Sequence, residues 1–285
     1  MNAADRQRPP PGALYLDHVS HFVPDLGAAG ALLESLGFAV TPLSAQVTQD
    51  GPAGTSNRCV MLKDGYLEIL TPTANTPNAQ RMRKSMRRYR GVHLVCFGTP
   101  AAEEEYARLQ EHGFAPQPLV RLERKVEDGM TVRFSVVRAA AGKMPEGRVQ
   151  YVQHLVPEAI WRPAHLKHRN GVLGLAAAYV VAADPVRGAA RWARFMGGLP
   201  RREGKFVSLE TGRGKVLLGT RAQVKALLGA APRTPGIAGY ALACKNPKAF
   251  ARRCSEAGLK VNRHLAVILP PALGGAWRLV PREKR

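Results

Sequence analysis

The chain has 285 residues, enough for two ordinary domains or one large one, and a composition that is neither disordered nor collagen-like. Its net charge of +21 suits an anionic substrate, contact with nucleic acid or a membrane surface, or simply an arginine-rich solvated surface. The basic residues run along the whole chain with no zinc-finger or RNA-binding aromatic signature, so a nucleic-acid partner is not expected.

Met1 to Gly12 is polar and then proline-rich, without the apolar core of a signal peptide. No run of about 18 apolar residues follows. The four cysteines, Cys59, Cys96, Cys244 and Cys254, include no Cys-x-x-Cys pair. Buried thiols in a soluble, cytoplasmic protein are the expectation.

Taken in chain order, one pattern recurs four times. A short strand leads to a helix start marked by proline, then about three helical turns, a glycine and further strands. The helix starts are Val23-Pro24-Asp25, Gly98-Thr99-Pro100, Ala183-Asp184-Pro185 and Lys245-Asn246-Pro247. Asp25, Thr99, Asp184 and Asn246 can each accept from free N–H groups at a helix N-terminus, and proline tolerates the first turn. Gly37, Gly113, Gly197 and Gly258 can take the left-handed conformation that ends each helix.

Strands are expected at 37–43, 58–62 and 66–70 in the first segment, the last two joined by an Asp64-Gly65 turn. The later segments offer pairs at 131–139 and 148–156, at 206–209 and 215–218, and at 264–269 and 277–280. The basic run from Arg81 to Arg90 reads as a helix or a mobile cover. The expected organisation is a flexible segment 1–13, a double module 14–157, a connector 158–171 and a second double module 172–285.

His18 lies on the first strand and Glu68 on a returning strand, where an imidazole and a carboxylate can become two ligands of one metal ion. His21, three residues past His18, points to the opposite strand face and reads as a packing residue. Asn57, Arg58 and Arg133 are candidates for orienting a substrate.

Repeated βαβββ units, His18 within Leu-Asp-His-Val, Pro-Asp-Leu six residues on and Tyr-Leu-Glu-Ile-Leu at the fourth strand together resemble the vicinal oxygen chelate superfamily. Gly54-Thr55-Ser56-Asn57-Arg58 followed by Asp64-Gly65-Tyr66-Leu67-Glu68 is most similar to its glyoxalase-like domain proteins. The resemblance covers 14–157 well and 172–285 by topology alone. It implies an α+β fold of four βαβββ modules paired into two half-open mixed-sheet barrels.

The resemblance also implies a metal held by residues of the first and fourth strands of paired units: His18, Glu68, His93 and Gln153, with the neighbouring His154 as rival to Gln153. Two histidines and a carboxylate suit a divalent ion such as Fe, Mn, Ni, Co or Zn. Glutamine at 153 departs from the usual carboxylate and cannot act as a base. The third and fourth units carry Ala177, Gly239 and Trp277 at the corresponding places, so the second half is expected to be metal-free.

The function this implies is a metal-dependent lyase, isomerase or extradiol-type dioxygenase, monomeric or homodimeric, with Glu68 catalytic and a small, anionic substrate chelated through vicinal oxygens. The alternative is a metal-free binding protein of the resistance type on the same fold.

Overall fold

The computed structural model describes residues 2–125 and 129–282. The first half alternates β1 (Tyr15–Phe22), α1 (Leu26–Ser35), β2 (Ser44–Thr48), β3 (Gly51–Met61), β4 (Tyr66–Pro72) and α2 (Pro77–Arg88). It continues through β5 (Gly91–Gly98), α3 (Ala102–Glu111), β6 (Val120–Lys125), β7 (Thr131–Arg138) and β8 (Arg148–His154). These eight strands close into a barrel in the order β1-β4-β3-β2-β6-β7-β8-β5. Parallel β1–β4 and β5–β8 pairs sit side by side through the antiparallel β1–β5 ladder. The two modules thus supply opposite walls of one interior.

The second half contains β9 (Val172–Val181), α4 (Pro185–Met196), β10 (Pro200–Glu203), β11 (Phe206–Glu210), β12 (Lys215–Gly219) and α5 (Arg221–Leu228). β13 (Gly236–Cys244), α6 (Pro247–Glu256), β14 (Lys260–Val261), β15 (Ala266–Ile268) and β16 (Ala276–Pro281) complete it. Its eight strands form one sheet with β10 and β14 at the edges. One barrel therefore closes and its counterpart stays open.

Local chemistry explains most boundaries. Asp25 Oδ1 accepts from the N–H groups of Gly27 and Ala28, Asp184 from Val186 and Arg187, and Asn246 from Ala249. Thr99 does not cap α3 as expected. Gln153 Oε1 accepts from Ala102 N at 3.1 Å instead. At the β3–β4 turn Gly65 has φ +83°, and a Cβ there would lie 2.4 Å from the Asp17 carbonyl oxygen, so only glycine lets β4 close on β1.

Residues 37–43 are not a ladder strand. Pro42 lacks a donor, and only Thr41 reaches β3, exchanging hydrogen bonds with Cys59 through its N–H and its hydroxyl, both at 2.8 Å. The partner of β3 lies later, in β2. The helix α5 was not expected, although its capping box, Thr220 with Gln223, is legible in the sequence. Within residues 2–13 Gln7 is buried, and its amide donates to the carbonyls of Ala3 and Lys63.

One apolar core runs through both halves, from Leu16, Phe97 and Tyr151 of the barrel to Trp192, Phe195 and Trp277 beyond it. Residues between β8 and β9 cover the barrel wall, with Trp161 donating to the Leu62 carbonyl and His168 spanning Ala39 and Met61. All four cysteines are buried. Among the described residues no helix is long and apolar enough to cross a membrane.

Candidate functional site

Strand alternation sends every second side chain into the barrel. β1 and β4 thereby aim His18, Tyr66 and Glu68 inward, and β3 adds Asn57. From the opposite wall come Arg138 of β7 and Arg148 and Gln150 of β8. These polar groups line a cavity of about 40 Å³, which α2 covers with Asn78 and Met82. A larger hollow of about 900 Å³ lies on the second sheet, but no histidine faces it.

His18 is held in one orientation. Its Nδ1 donates to Asp17 Oδ1 at 2.7 Å, and its ring stacks on Tyr66 with centroids 4.3 Å apart. That leaves Nε2 in the cavity, 3.9 Å from Glu68 Oε2. Asp17 follows a register shift in the β1–β5 ladder between Leu16 and His18, which lets adjacent residues cooperate where strict alternation would part them. Asp17 is fully buried, and His154 Nε2 donates to its two oxygens at 3.2 and 3.1 Å.

Burial alone would raise the Asp17 pKa, but the imidazoles of His154 and His18 outweigh it and hold the carboxyl well below its ordinary range. Burial likewise opposes charge on His18, yet Cys96 and Asp17 beside it raise its pKa well above 6.5. The Glu68 carboxylate accepts from Ser20 Oγ at 2.6 Å, Asn57 Nδ2 at 2.7 Å and Gln46 Nε2 at 3.4 Å. Its burial therefore needs no metal.

The structure brings His18, Glu68 and Asn57 together and parts the rest. A second register shift pairs Ser20 with Leu94 but His21 with Val92, and His93 falls at this irregularity. Its ring packs between Phe22 and Tyr89, its Nε2 donates to the Tyr89 carbonyl at 3.0 Å, and it does not line the cavity. Burial lowers its pKa to about 4, so it is neutral. Gln153 is committed to α3: besides capping Ala102 it donates to the Pro100 carbonyl at 2.6 Å. His154 faces Asp17. Arg58 bonds to the Thr41 carbonyl and Glu34, while Arg133 pairs with Glu123 on the surface.

Sequence reasoning missed Asp17, Arg138, Arg148 and Gln150. Counting back by twos from His154 would have put Arg148 and Gln150 on one face, whereas the bulges left no signal.

Asp17, His18 and Cys96 place donor atoms within 4.8 Å of one another, a cluster of metal-ligating type. The fit is nevertheless short. Asp17 is occupied by two imidazoles, Cys96 does not line the cavity, Gln150 Oε1 accepts from Arg138 Nε at 3.3 Å, and into the cavity itself only His18 Nε2 and Glu68 Oε2 converge. Two guanidiniums in the same cavity oppose a further cation.

Residues 16–196 match the family described as glyoxalase-like domain. No curated protein matches the chain in sequence. Among solved structures, a hypothetical protein from Staphylococcus aureus superposes with a TM-score of 0.66 at 12% identity, covering 94% of this chain and 100% of its own. A mutant of 4-hydroxymandelate synthase from Streptomyces coelicolor gives 0.58 at 14% identity, over 95% and 94%. A xylose isomerase-like TIM barrel/4-hydroxyphenylpyruvate dioxygenase fusion protein gives 0.54 at 11% identity, with 89% of this chain covering 40% of that one. At these identities the likeness is one of fold.

Proposed function

Because this chain belongs to the glyoxalase-like domain family, we propose that it is an enzyme that binds a small molecule inside the β1–β8 barrel and moves a proton between it and the pair His18 and Glu68. The observation that carries this reading is the fixed line Asp17, His18, cavity, Glu68, with the imidazole held at Nδ1 and its Nε2 3.9 Å from the carboxylate. An imidazole whose second nitrogen is tied to a buried carboxylate presents one defined atom to substrate.

Burial opposes charge on His18, but Cys96 and the Asp17 carboxylate on Nδ1 favour it, which makes His18 the acid of the pair. Glu68, steadied by Ser20 and Asn57, is the base. Removal of a proton at one substrate atom and delivery at another is the chemistry of an isomerase or lyase. Ring cleavage by a two-histidine-one-carboxylate centre is not supported, since His93 lies outside the cavity.

A metal-dependent version is favoured by one observation, the convergence of His18 and Glu68. They would be its protein donors, and a divalent ion would supply Lewis acidity to an anionic substrate. The donor set falls short of three, so the proton transfer is assigned to the side chains alone.

Deuterium uptake from D₂O into small carbonyl and hydroxy compounds, followed by NMR, tests the reading. Wild-type protein is expected to catalyse exchange, and His18→Gln and Glu68→Gln to lose it by at least ~100-fold. Exchange that survives both substitutions rejects it. Elemental analysis of the purified protein decides between the versions: a stoichiometric metal that is lost in Glu68→Ala establishes the metal-dependent one.

A further inference from the structure

The barrel interior contains more positive charge than its own residues use. Arg138 and Arg148 line the same cavity, and among the described residues neither has a carboxylate at ion-pair distance. Among the described residues the Arg138 guanidinium donates to the Gln150 amide alone, at 3.3 Å, and Arg148 lies over the Phe22 ring at 5.5 Å. Glu68 is the carboxylate nearest in effect, but Ser20, Asn57 and Gln46 already occupy it.

Burial lowers the pKa of Arg138 to about 10, with repulsion from Arg81 added. Arg148 is lowered to about 9 by burial and then by Arg138 and Arg81. Two neighbouring guanidiniums, part-buried in one polar cavity and without a carboxylate partner, make a site that an anion completes. The cover has a matching gap: Asn78 Oδ1, which lines the cavity from α2, is buried with no hydrogen-bond donor. A cavity of about 40 Å³ has room for roughly three waters by the usual volume per site, or for a molecule of a few heavy atoms.

Resting on the reading of the barrel as a small-molecule site, we propose that the substrate is a small hydroxy acid, its carboxylate on Arg138 and Arg148 and its hydroxyl donating to Asn78 Oδ1. A carboxylate presents two oxygens to the guanidinium pair. The hydroxyl supplies the donor that Asn78 lacks, and this arrangement leaves the rest of the molecule to His18 and Glu68. A plain acid satisfies only the arginines, and the neutral amide of the hydroxy acid keeps the donor for Asn78 but leaves the two guanidinium charges unmatched.

The test is calorimetric binding and thermal unfolding of the full chain with glycolate, acetate, glycolamide and inorganic phosphate. Glycolate is expected to bind and raise Tm, acetate to bind more weakly, and glycolamide to do neither. Arg138→Met and Arg148→Met are expected to unfold at a higher temperature than wild type without ligand, and to lose glycolate affinity by at least tenfold. Asn78→Ala is expected to bind glycolate no better than acetate.

Equal binding of glycolate and glycolamide, or undiminished glycolate binding by both arginine variants, overturns the proposal. So does phosphate binding tighter than glycolate, which would make the site one for phosphate. Because these are binding readouts, they stand apart from the exchange assay. His18→Gln that binds glycolate normally but gives no exchange keeps both readings, whereas wild type that binds glycolate without any exchange rejects only the proton-transfer chemistry.

Discussion

Asp17 shows how much of a site a single backbone irregularity can decide. On a regular strand it would face away from its neighbour His18, but the register shift against β5 brings its carboxylate to His18 Nδ1. Asp17→Asn is therefore expected to leave His18 in place but lower the exchange rate by about 10–100-fold, the usual effect of losing the partner that orients an imidazole. Circular dichroism on the same sample checks that the fold persists.

His21, on the outer face of the barrel, does different work. Its Nε2 meets the Tyr240 hydroxyl at 2.9 Å and its Nδ1 the Leu273 carbonyl at 3.1 Å, so it ties the barrel to the second half. Burial lowers its pKa to about 4. The unfolded chain, with an ordinary value near 6.5, then takes up the proton first as pH falls. This contribution is fully present above pH 6.5 and is lost progressively down to about pH 4. At about 1.4 kcal/mol per pH unit it amounts to at most ~3 kcal/mol, and His93 acts in the same direction. Urea unfolding from pH 7 to 4.5 is expected to show this decline, with a shallower slope in His21→Gln.

Among the elements, α2 and α3 carry the most information about the site. α2 closes the barrel with Met82, which is fully buried among Phe22, Leu70 and Leu94. Thr76 caps the helix by accepting from Ala79 N at 3.2 Å. Met82→Ala is expected to cost about 2–5 kcal/mol by the measured range for such truncations, and to enlarge the cavity, so that longer acids bind in calorimetry. At α3, Gln153→Ala separates the two roles considered for that residue. Loss of the helix cap is expected to cost about 1 kcal/mol in thermal unfolding while exchange activity stays at the wild-type level. A metal ligand would show the reverse.

At the scale of the whole molecule, the core is continuous. Arg108 donates to the Arg194 carbonyl at 2.9 Å, the Tyr151 hydroxyl donates to the Phe195 carbonyl, and their rings stack with centroids 4.8 Å apart. At the other contact Gly174 lies against Asp64, where a Cβ would come within 2.6 Å of the Asp64 side chain. With so little boundary between them, the halves are expected to unfold in one urea transition, with tryptophan fluorescence and far-ultraviolet dichroism coinciding. Residues 14–157 expressed alone are expected to expose the faces of Phe97 and Tyr151 and fail to fold; two separated transitions would refute this.

The repeat of strand, capped helix and strand was legible in the sequence because N-caps, turn glycines and apolar alternation are local. Asp25, Asp184, Asn246 and the Asp64-Gly65 turn each act within a few residues of themselves. The α+β class, the pairing of modules and the inward place of His18 and Glu68 were what the family resemblance carried by that repeat implied.

What only the tertiary structure decided was register. Two irregularities in the β1–β5 ladder recruited Asp17 and left His93 outside the cavity. The capping need of α3 took Gln153, and the facing strands β7 and β8 put Arg138 and Arg148 where a second set of ligands was expected. A shift of one residue sends a side chain to the other face of a strand, and no local signal in the chain announces it.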